Sequence, residues 1–272
     1  MRYTAARGAA AAVIAAASIG LLAGTAGATT TTHPTMTYRQ QSTGQGLHGK
    51  LYNIYTENGG KLSDTLQLTK VGAAFVPAFK VLRASSGGWI YPNIGAGAER
   101  GMRPPNTWNP VQINGGQGKI TTSVSTTLKW SNWNWNAGYD IWLTTRYDLY
   151  GNTQCHGGTE IMIWTAASRN GHAITRGPGA NKGSVLIDGI LWNVNDGLVS
   201  NRSCGTWHRI YYVAQHPRSG VSNMYVNPFL SDAWRRKMAG GSYYLSGIEY
   251  GFEIDKGGAG LSVNNFSVTG VR

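Results

Sequence analysis

The 272-residue chain is poor in charge: Asp, Glu, Lys and Arg make up 13% of it, and only 12 residues are acidic. That leaves few residues for any chemistry that needs carboxylates. It also excludes a highly charged chain without a core. Cysteine is scarce, with Cys155 and Cys204 the only two. No Cys-x-x-Cys pair or His-x-x-x-His spacing accompanies them, which argues against a zinc site. No metal or organic cofactor is expected. Beyond the first 28 residues no apolar run approaches the length of a membrane helix. No internal repeat and no linker rich in Pro, Gly and Ser divides the remainder.

The opening stretch has a different character. Arg2 and Arg7 precede an uncharged run of Ala, Val, Ile, Leu and Gly from Gly8 to Gly24, and Ala26-Gly27-Ala28 fits an A-x-A cleavage signal. Residues 1–28 therefore read as a secretory signal peptide. Residues 29–40 read as a flexible polar leader, and 41–272 as one domain. A secreted, extracellular protein is expected. An oxidising destination favours a Cys155–Cys204 disulfide over two free buried thiols. The formal charge is +12, but apart from Arg235-Arg236-Lys237 the basic residues are scattered singly, as on an ordinary solvated surface. Neither nucleic acid nor membrane is expected as a partner, and a monomer is anticipated.

Glycine and aromatics are plentiful, with 38 Gly, 10 Trp and 14 Tyr. Apolar or alternating runs recur at Lys50–Thr56, Ala74–Arg83, Gly88–Asn93, Ile120–Lys129, Ala137–Thr144, Thr159–Ala166, Ser184–Ile187, Ile190–Val194, Thr206–Ala214, Tyr243–Phe252 and Leu261–Val268. Clusters such as Glu57-Asn58-Gly59-Gly60 and Asn114-Gly115-Gly116 punctuate them. Many short strands set off by turn signals predict an all-β sandwich or barrel. One segment has helical spacing. Pro228 suits its first turn, Phe229, Leu230, Ala233, Trp234 and Met238 form one stripe, and Gly240-Gly241 ends it. Trp234 is expected in the core. Flat aromatic faces with polar edges suit the C–H faces of sugars, so the composition favours an extracellular β-protein that contacts glycans.

Glycoside hydrolysis usually needs two carboxyl groups across the scissile bond. Most of the acids have a simpler reading. Glu57, Asp64, Asp188 and Asp196 sit in apparent turns, Asp232 falls on the wet side of the helix, Glu99 and Asp148 neighbour arginines, and Asp255 adjoins Lys256. The others lie on apolar strand patterns. In Glu160-Ile161-Met162-Ile163-Trp164, alternation sets Ile161 and Ile163 on one face and Glu160, Met162 and Trp164 on the other. In Ile248-Glu249-Tyr250-Gly251-Phe252-Glu253-Ile254, Glu249, Gly251 and Glu253 share a face, where Gly251 leaves room for a ligand. In Tyr139-Asp140-Ile141-Trp142, Asp140 and Trp142 point away from the core. A charge on an apolar strand is costly unless it is paired or functional.

These three stretches resemble glycoside hydrolase family 12, especially its actinobacterial endoglucanases. Tyr91-Pro92-Asn93-Ile94, Tyr244-Leu245-Ser246 and Gly260-Leu261-Ser262-Val263-Asn264-Asn265-Phe266-Ser267 are also similar to the family's pattern. The resemblance runs from about residue 130 to the end. It implies a two-sheet antiparallel β-jelly roll sandwich with one helix on the convex face and a cleft on the concave sheet. It also implies retaining endo-hydrolysis of β-1,4-glucan, mixed-linkage glucan or xyloglucan, with a polysaccharide as partner. Carried over by position, Glu160 is similar to the nucleophile, Glu253 to the acid/base, and Asp140 to an aspartate that hydrogen-bonds the nucleophile. Met162, Trp164, Trp142 and Trp89 line the cleft in this reading, and Glu249 adds negative potential or binds a sugar hydroxyl. The sequence departs from the family before Trp89, where no Trp occurs, and at Asn195, which stands where an aromatic is usual. The alternative is a non-catalytic glycan-binding sandwich, a lectin or carbohydrate-binding module, which needs no opposed carboxylates.

Overall fold

The computed structural model describes residues 35–38, 46–48, 53–58, 64–71, 74–83, 90–98, 107–114, 118–129, 134–148, 158–168, 179–201 and 205–271. Trp89, Cys155 and Cys204 lie outside them, as do the proposed signal peptide and most of the leader. The strands in chain order are β1 (Thr35–Tyr38), β2 (Gly46–His48), β3 (Asn53–Asn58), β4 (Asp64–Val71), β5 (Ala74–Arg83), β6 (Ile90–Gly97), β7 (Val111–Gln112), β8 (Thr121–Thr127), β9 (Asn134–Thr144), β10 (Thr159–Ala167), β11 (Ala180–Ile187), β12 (Ile190–Asn201), β13 (Gly205–Ala214), β14 (Gly220–Tyr225), β15 (Tyr244–Lys256) and β16 (Ser262–Thr269). Among the described residues there is one helix, α1 (Asn227–Arg235), between β14 and β15.

Two sheets result. The smaller has the order β1-β4-β5-β16-β8-β14. The larger runs β11-β12-β13-β10-β9-β15-β6-β3-β2, with β7 added on β15. Alternation explains the core between them. Trp135, Ala137, Tyr139 and Ile141 of β9, Ile161 and Ile163 of β10, and Ile248, Tyr250, Phe252 and Ile254 of β15 are all buried in one apolar cluster with Phe79, Val124, Val263 and Phe266 of the other sheet. This is the expected jelly-roll sandwich. Among the described strands the pairings are antiparallel except β10 with β13, which run parallel and set Glu160 beside Arg209.

Several acids are placed otherwise than their local sequence suggests. Glu57 and Asp64 lie within β3 and β4, and Asp196 lies within β12 rather than in a turn, ion-paired to Lys182 at 3.4 Å. Asp188 does occupy a turn, with φ of +52°. Asp232, expected on the wet side of the helix, is buried. It accepts from Tyr212 Oη at 3.0 Å and from Arg236 Nε at 2.6 Å. Trp234, expected in the core, is 58% exposed. The helix is rotated so that Phe229 packs edge-on to Trp192 and Tyr212, with centroids 5.4 and 5.0 Å apart, and this turns Asp232 inward and Trp234 outward.

The helix also stops before its glycines. Lys237 adopts φ of +61°. Lys237 N donates to Trp234 O at 2.8 Å and Met238 N to Ala233 O at 2.9 Å. These two bonds make a Schellman termination, with Met238 as its buried apolar contact. A lysine holds the left-handed position that Gly240 was expected to supply.

Candidate active site

The outward face of the larger sheet carries the acids, and cross-strand register places them. On β9 the face reads Asn136, Gly138, Asp140, Trp142. Glu160 on β10 lies opposite Trp142, and Met162 lies opposite Asp140. On β15, Glu249 lies opposite Asp140, Gly251 opposite Gly138, and Glu253 opposite Asn136. The register joining Asn93 to Gly251 and Ile90 to Ile254 carries Tyr91 of β6 opposite Glu253. The acids thus run diagonally over three strands, with Glu160 and Glu253 on the two strands flanking β9. All four are buried on this face: Glu249 is 0% exposed, Glu160 2%, Asp140 4% and Glu253 9%.

Neighbouring strands hold the two outer carboxylates. Glu253 Oε2 accepts from Asn136 Nδ2 at 2.5 Å. Glu160 Oε2 accepts from two side chains of β13, Trp207 Nε1 at 2.7 Å and Arg209 Nε at 2.5 Å. Arg209 also donates from Nη1 to Tyr211 Oη at 3.3 Å. Trp207, Arg209 and Tyr211 alternate along one face of β13, so a single strand presents three groups towards Glu160. Met162, Trp164 and Tyr211 form a separate apolar cluster, with Trp164 and Tyr211 edge to face at 5.7 Å. Trp142 leans against Trp207 at 6.3 Å.

The carboxylates that the register brings onto one face also bear on the phenols beside them. Burial raises the Tyr91 phenol well above its ordinary pKa, and the charges of Glu249, Asp140, Glu253 and Glu160 add to the rise. Burial pushes Tyr211 up to about 12, opposed by the Arg209 charge and hydrogen bond and assisted by Glu160 and Glu253. Two tyrosines on strands at opposite sides of the site therefore both feel Glu160 and Glu253. Arg209 is held above its ordinary pKa: burial pulls it down, but Glu160 and Tyr211 outweigh that. Among the described residues no group of three or more His, Cys, Asp or Glu is placed to hold a metal ion.

The expected site residues Glu160, Glu253, Asp140, Glu249, Met162, Trp164 and Trp142 all fall on this one face. Gly251 does not serve as expected. A Cβ there would lie 2.3 Å from Pro92 O and 2.6 Å from the Asn93 Cβ, so its missing side chain makes way for β6 rather than for a ligand. Sequence reasoning missed Trp207, Arg209, Tyr211, Asn136 and Tyr91. The alternation in Thr206–Ala214 marks Trp207, Arg209 and Tyr211 as sharing a face, but only the parallel pairing sets that face beside Glu160.

The model of glycosyl hydrolase family 12 matches residues 105–270, more than half of the chain and all four carboxylates. The chain belongs to glycosyl hydrolase family 12. Solved members of the family have the same fold. An endoglucanase, Cel12A from Rhodothermus marinus, is 25% identical with a TM-score of 0.71, covering 87% of this chain and 98% of its own. The endo-1,4-β-glucanase CelB2 is 26% identical with a TM-score of 0.66, covering 84% and 96%. A family 12 xyloglucanase from Bacillus licheniformis is 20% identical with a TM-score of 0.68, covering 88% and 100%. No match was found among curated proteins. As a family 12 member the chain is a glycoside hydrolase acting on β-glucans.

Proposed function

We propose that this family 12 hydrolase is a secreted, retaining endo-glycosidase that cleaves β-1,4-linked glucan by double displacement, with Glu160 as nucleophile and Glu253 as acid/base. The observation that carries the reading is that both carboxylates are buried on one face of the larger sheet, on the two strands flanking β9. In the first step Glu253 gives its proton to the glycosidic oxygen while a Glu160 oxygen bonds the anomeric carbon and the C–O bond breaks. In the second, Glu253 takes a proton from water, the water oxygen bonds the anomeric carbon, and the ester bond to Glu160 breaks. Two inversions retain the configuration. Asn136, bonded to Glu253 Oε2, directs the acidic proton to the other oxygen. Asp140, in the same-face row next to Glu160, and Glu249 opposite it keep the groove negative, which favours an oxocarbenium-like transition state. Met162, Trp164 and Trp142 supply apolar surface for pyranose faces. Residues 1–28 direct export, and the enzyme acts outside the cell on polymer as a monomer.

Proton NMR of the first-formed reducing end tests the stereochemistry. The β-anomer is expected, and initial release of the α-anomer overturns double displacement. Glu160→Gln and Glu253→Gln are each expected to abolish reducing-sugar release from barley glucan, carboxymethyl cellulose and xyloglucan while thermal unfolding stays cooperative. Full activity in either variant refutes its assignment, and the same three substrates rank the preferred glucan.

A further inference from the structure

Glu160 lies against a cation, Arg209, on the neighbouring parallel strand. Arg209 Nε and Trp207 Nε1 converge on the same oxygen, Oε2, at 2.5 and 2.7 Å, and neither engages Oε1. Arg209 is itself braced. Its guanidinium carbon lies 6.0 Å from the Trp207 ring centroid, Nη1 bonds Tyr211 Oη, and only 25% of the side chain is exposed. A charge-assisted hydrogen bond to a buried carboxylate is among the strong ones, and parallel register fixes this one residue against residue.

From this geometry we infer that Arg209 is a positioning residue of the reaction: with Trp207 it fixes Glu160 by Oε2, aims Oε1 at the anomeric carbon, and stabilises Glu160 as the group that departs in the second step. The inference rests on Glu160 being the nucleophile. Its consequence follows from where charge moves. In forming the ester, Glu160 loses negative charge, so a cation beside it does not assist that step. In hydrolysis of the ester, the C–O electron pair returns to Glu160 while water bonds carbon and its proton passes to Glu253. Negative charge then develops beside Arg209, as at an oxyanion site. Arg209 therefore favours the second step over the first, and its removal makes the glycosyl-enzyme accumulate. A lysine keeps the charge but has no fixed planar Nε–H, so it restores only part of the effect.

The test uses the full-length enzyme and 2,4-dinitrophenyl β-cellobioside in slightly alkaline buffer. Its leaving group needs no proton from Glu253, so the second step limits turnover. For Arg209→Met, kcat is expected to fall by roughly 10²–10³-fold, the range for losing one preorganised oxyanion donor. KM is expected to fall with it, leaving kcat/KM within a few-fold of wild type, and a burst of dinitrophenolate equal to the enzyme concentration should precede steady state. Arg209→Lys is expected to recover about tenfold of the loss. A merely structural arginine would not lower KM or produce a burst. Unchanged kcat in Arg209→Met, or a fall in kcat/KM as large as that in kcat with KM constant, overturns the inference. Should Arg209→Met fail to fold, Arg209→Lys decides by the same criterion: joint falls in kcat and KM support it, and wild-type values sink it. Activity in Glu160→Gln defeats the nucleophile assignment instead, whereas an inactive Glu160→Gln beside wild-type-like Arg209 variants defeats this inference alone.

Discussion

The two glycines facing each other at the middle of the site show how single residues set its shape. Gly138 and Gly251 lie opposite one another between the row of Asp140 and Glu249 and the row of Asn136 and Glu253. A Cβ at Gly138 would come within 2.7 Å of Ile163 O and 2.9 Å of the Trp164 ring; one at Gly251 would meet Pro92 O at 2.3 Å. Both obstacles include backbone, which cannot swing aside, so the strands themselves would have to move. Overpacking of this kind costs roughly 1–3 kcal/mol. Gly138→Ala and Gly251→Ala are expected to lower the free energy of unfolding by that amount, read as a lower urea midpoint at unchanged urea dependence, and to lower kcat because Trp164 and Asn93 shift. A variant of wild-type midpoint and activity would mean that the strands yield freely. At this scale the sequence was informative where alternation decides. Glu160, Met162, Asp140 and Glu253 could be assigned to the outward face because a strand allows two faces only. The partners of those acids could not, since Arg209 is 49 residues from Glu160 and nothing local marks them as neighbours.

Elements were legible to the extent that local signals acted unopposed. Ala74–Arg83 was expected as a strand and is β5 with the same ends, because turn residues flank an apolar run whose one breaker, Pro77, falls where the register with β4 shifts. Strands β1 and β14, at the two edges of the smaller sheet, and β4, next to β1, were not anticipated; an edge strand's pattern does not need to be apolar. The helix illustrates tertiary override. Its stripe admitted two rotations, and the burial of Phe229 between Trp192 and Tyr212 selected the one that pairs Asp232 with Arg236 and leaves Trp234 in solvent. Its end was set by two backbone bonds rather than by the nearby glycines, so Lys237 carries a left-handed backbone. That conformation costs an L-residue roughly 1–2 kcal/mol, and part of the gain on replacement is offset by the greater unfolded-state freedom of glycine. Lys237→Gly is accordingly expected to stabilise the enzyme by about 0.5–1 kcal/mol, raising Tm by roughly 1–4 °C for a protein of this size. A fall in Tm would show that the lysine side chain contributes more than its backbone strain removes.

Across the whole molecule, the sandwich buries phenols on both faces of its larger sheet, and this fixes how it meets alkali. Tyr139 and Tyr250 lie in the core, Tyr212 lies under the helix, and Tyr91 and Tyr211 lie in the active site. Burial raises all five above the ordinary value of 10, Tyr211 to about 12. The charged form of a phenol is the deprotonated one, so the fold favours the proton that the unfolded chain gives up near pH 10. Stability from this source is complete below pH 10 and is lost as pH rises towards the folded-state values, because the unfolded state then binds fewer protons. Each phenol contributes a slope of about 1.4 kcal/mol per pH unit, and five together approach about 7 kcal/mol per unit. Since domains are typically stable by 5–15 kcal/mol, unfolding is expected within about one to two units above pH 10. The loss of far-UV circular dichroism and the late rise in phenolate absorbance at 295 nm should then coincide in one cooperative transition. Tyr211→Phe, which removes the phenol raised to about 12, is expected to make the fall in stability shallower between pH 10 and about 12. Smooth titration of every tyrosine near pH 10 with the circular dichroism unchanged would contradict the burial of these side chains, and with it the closed packing that holds Glu160 and Glu253 on one face.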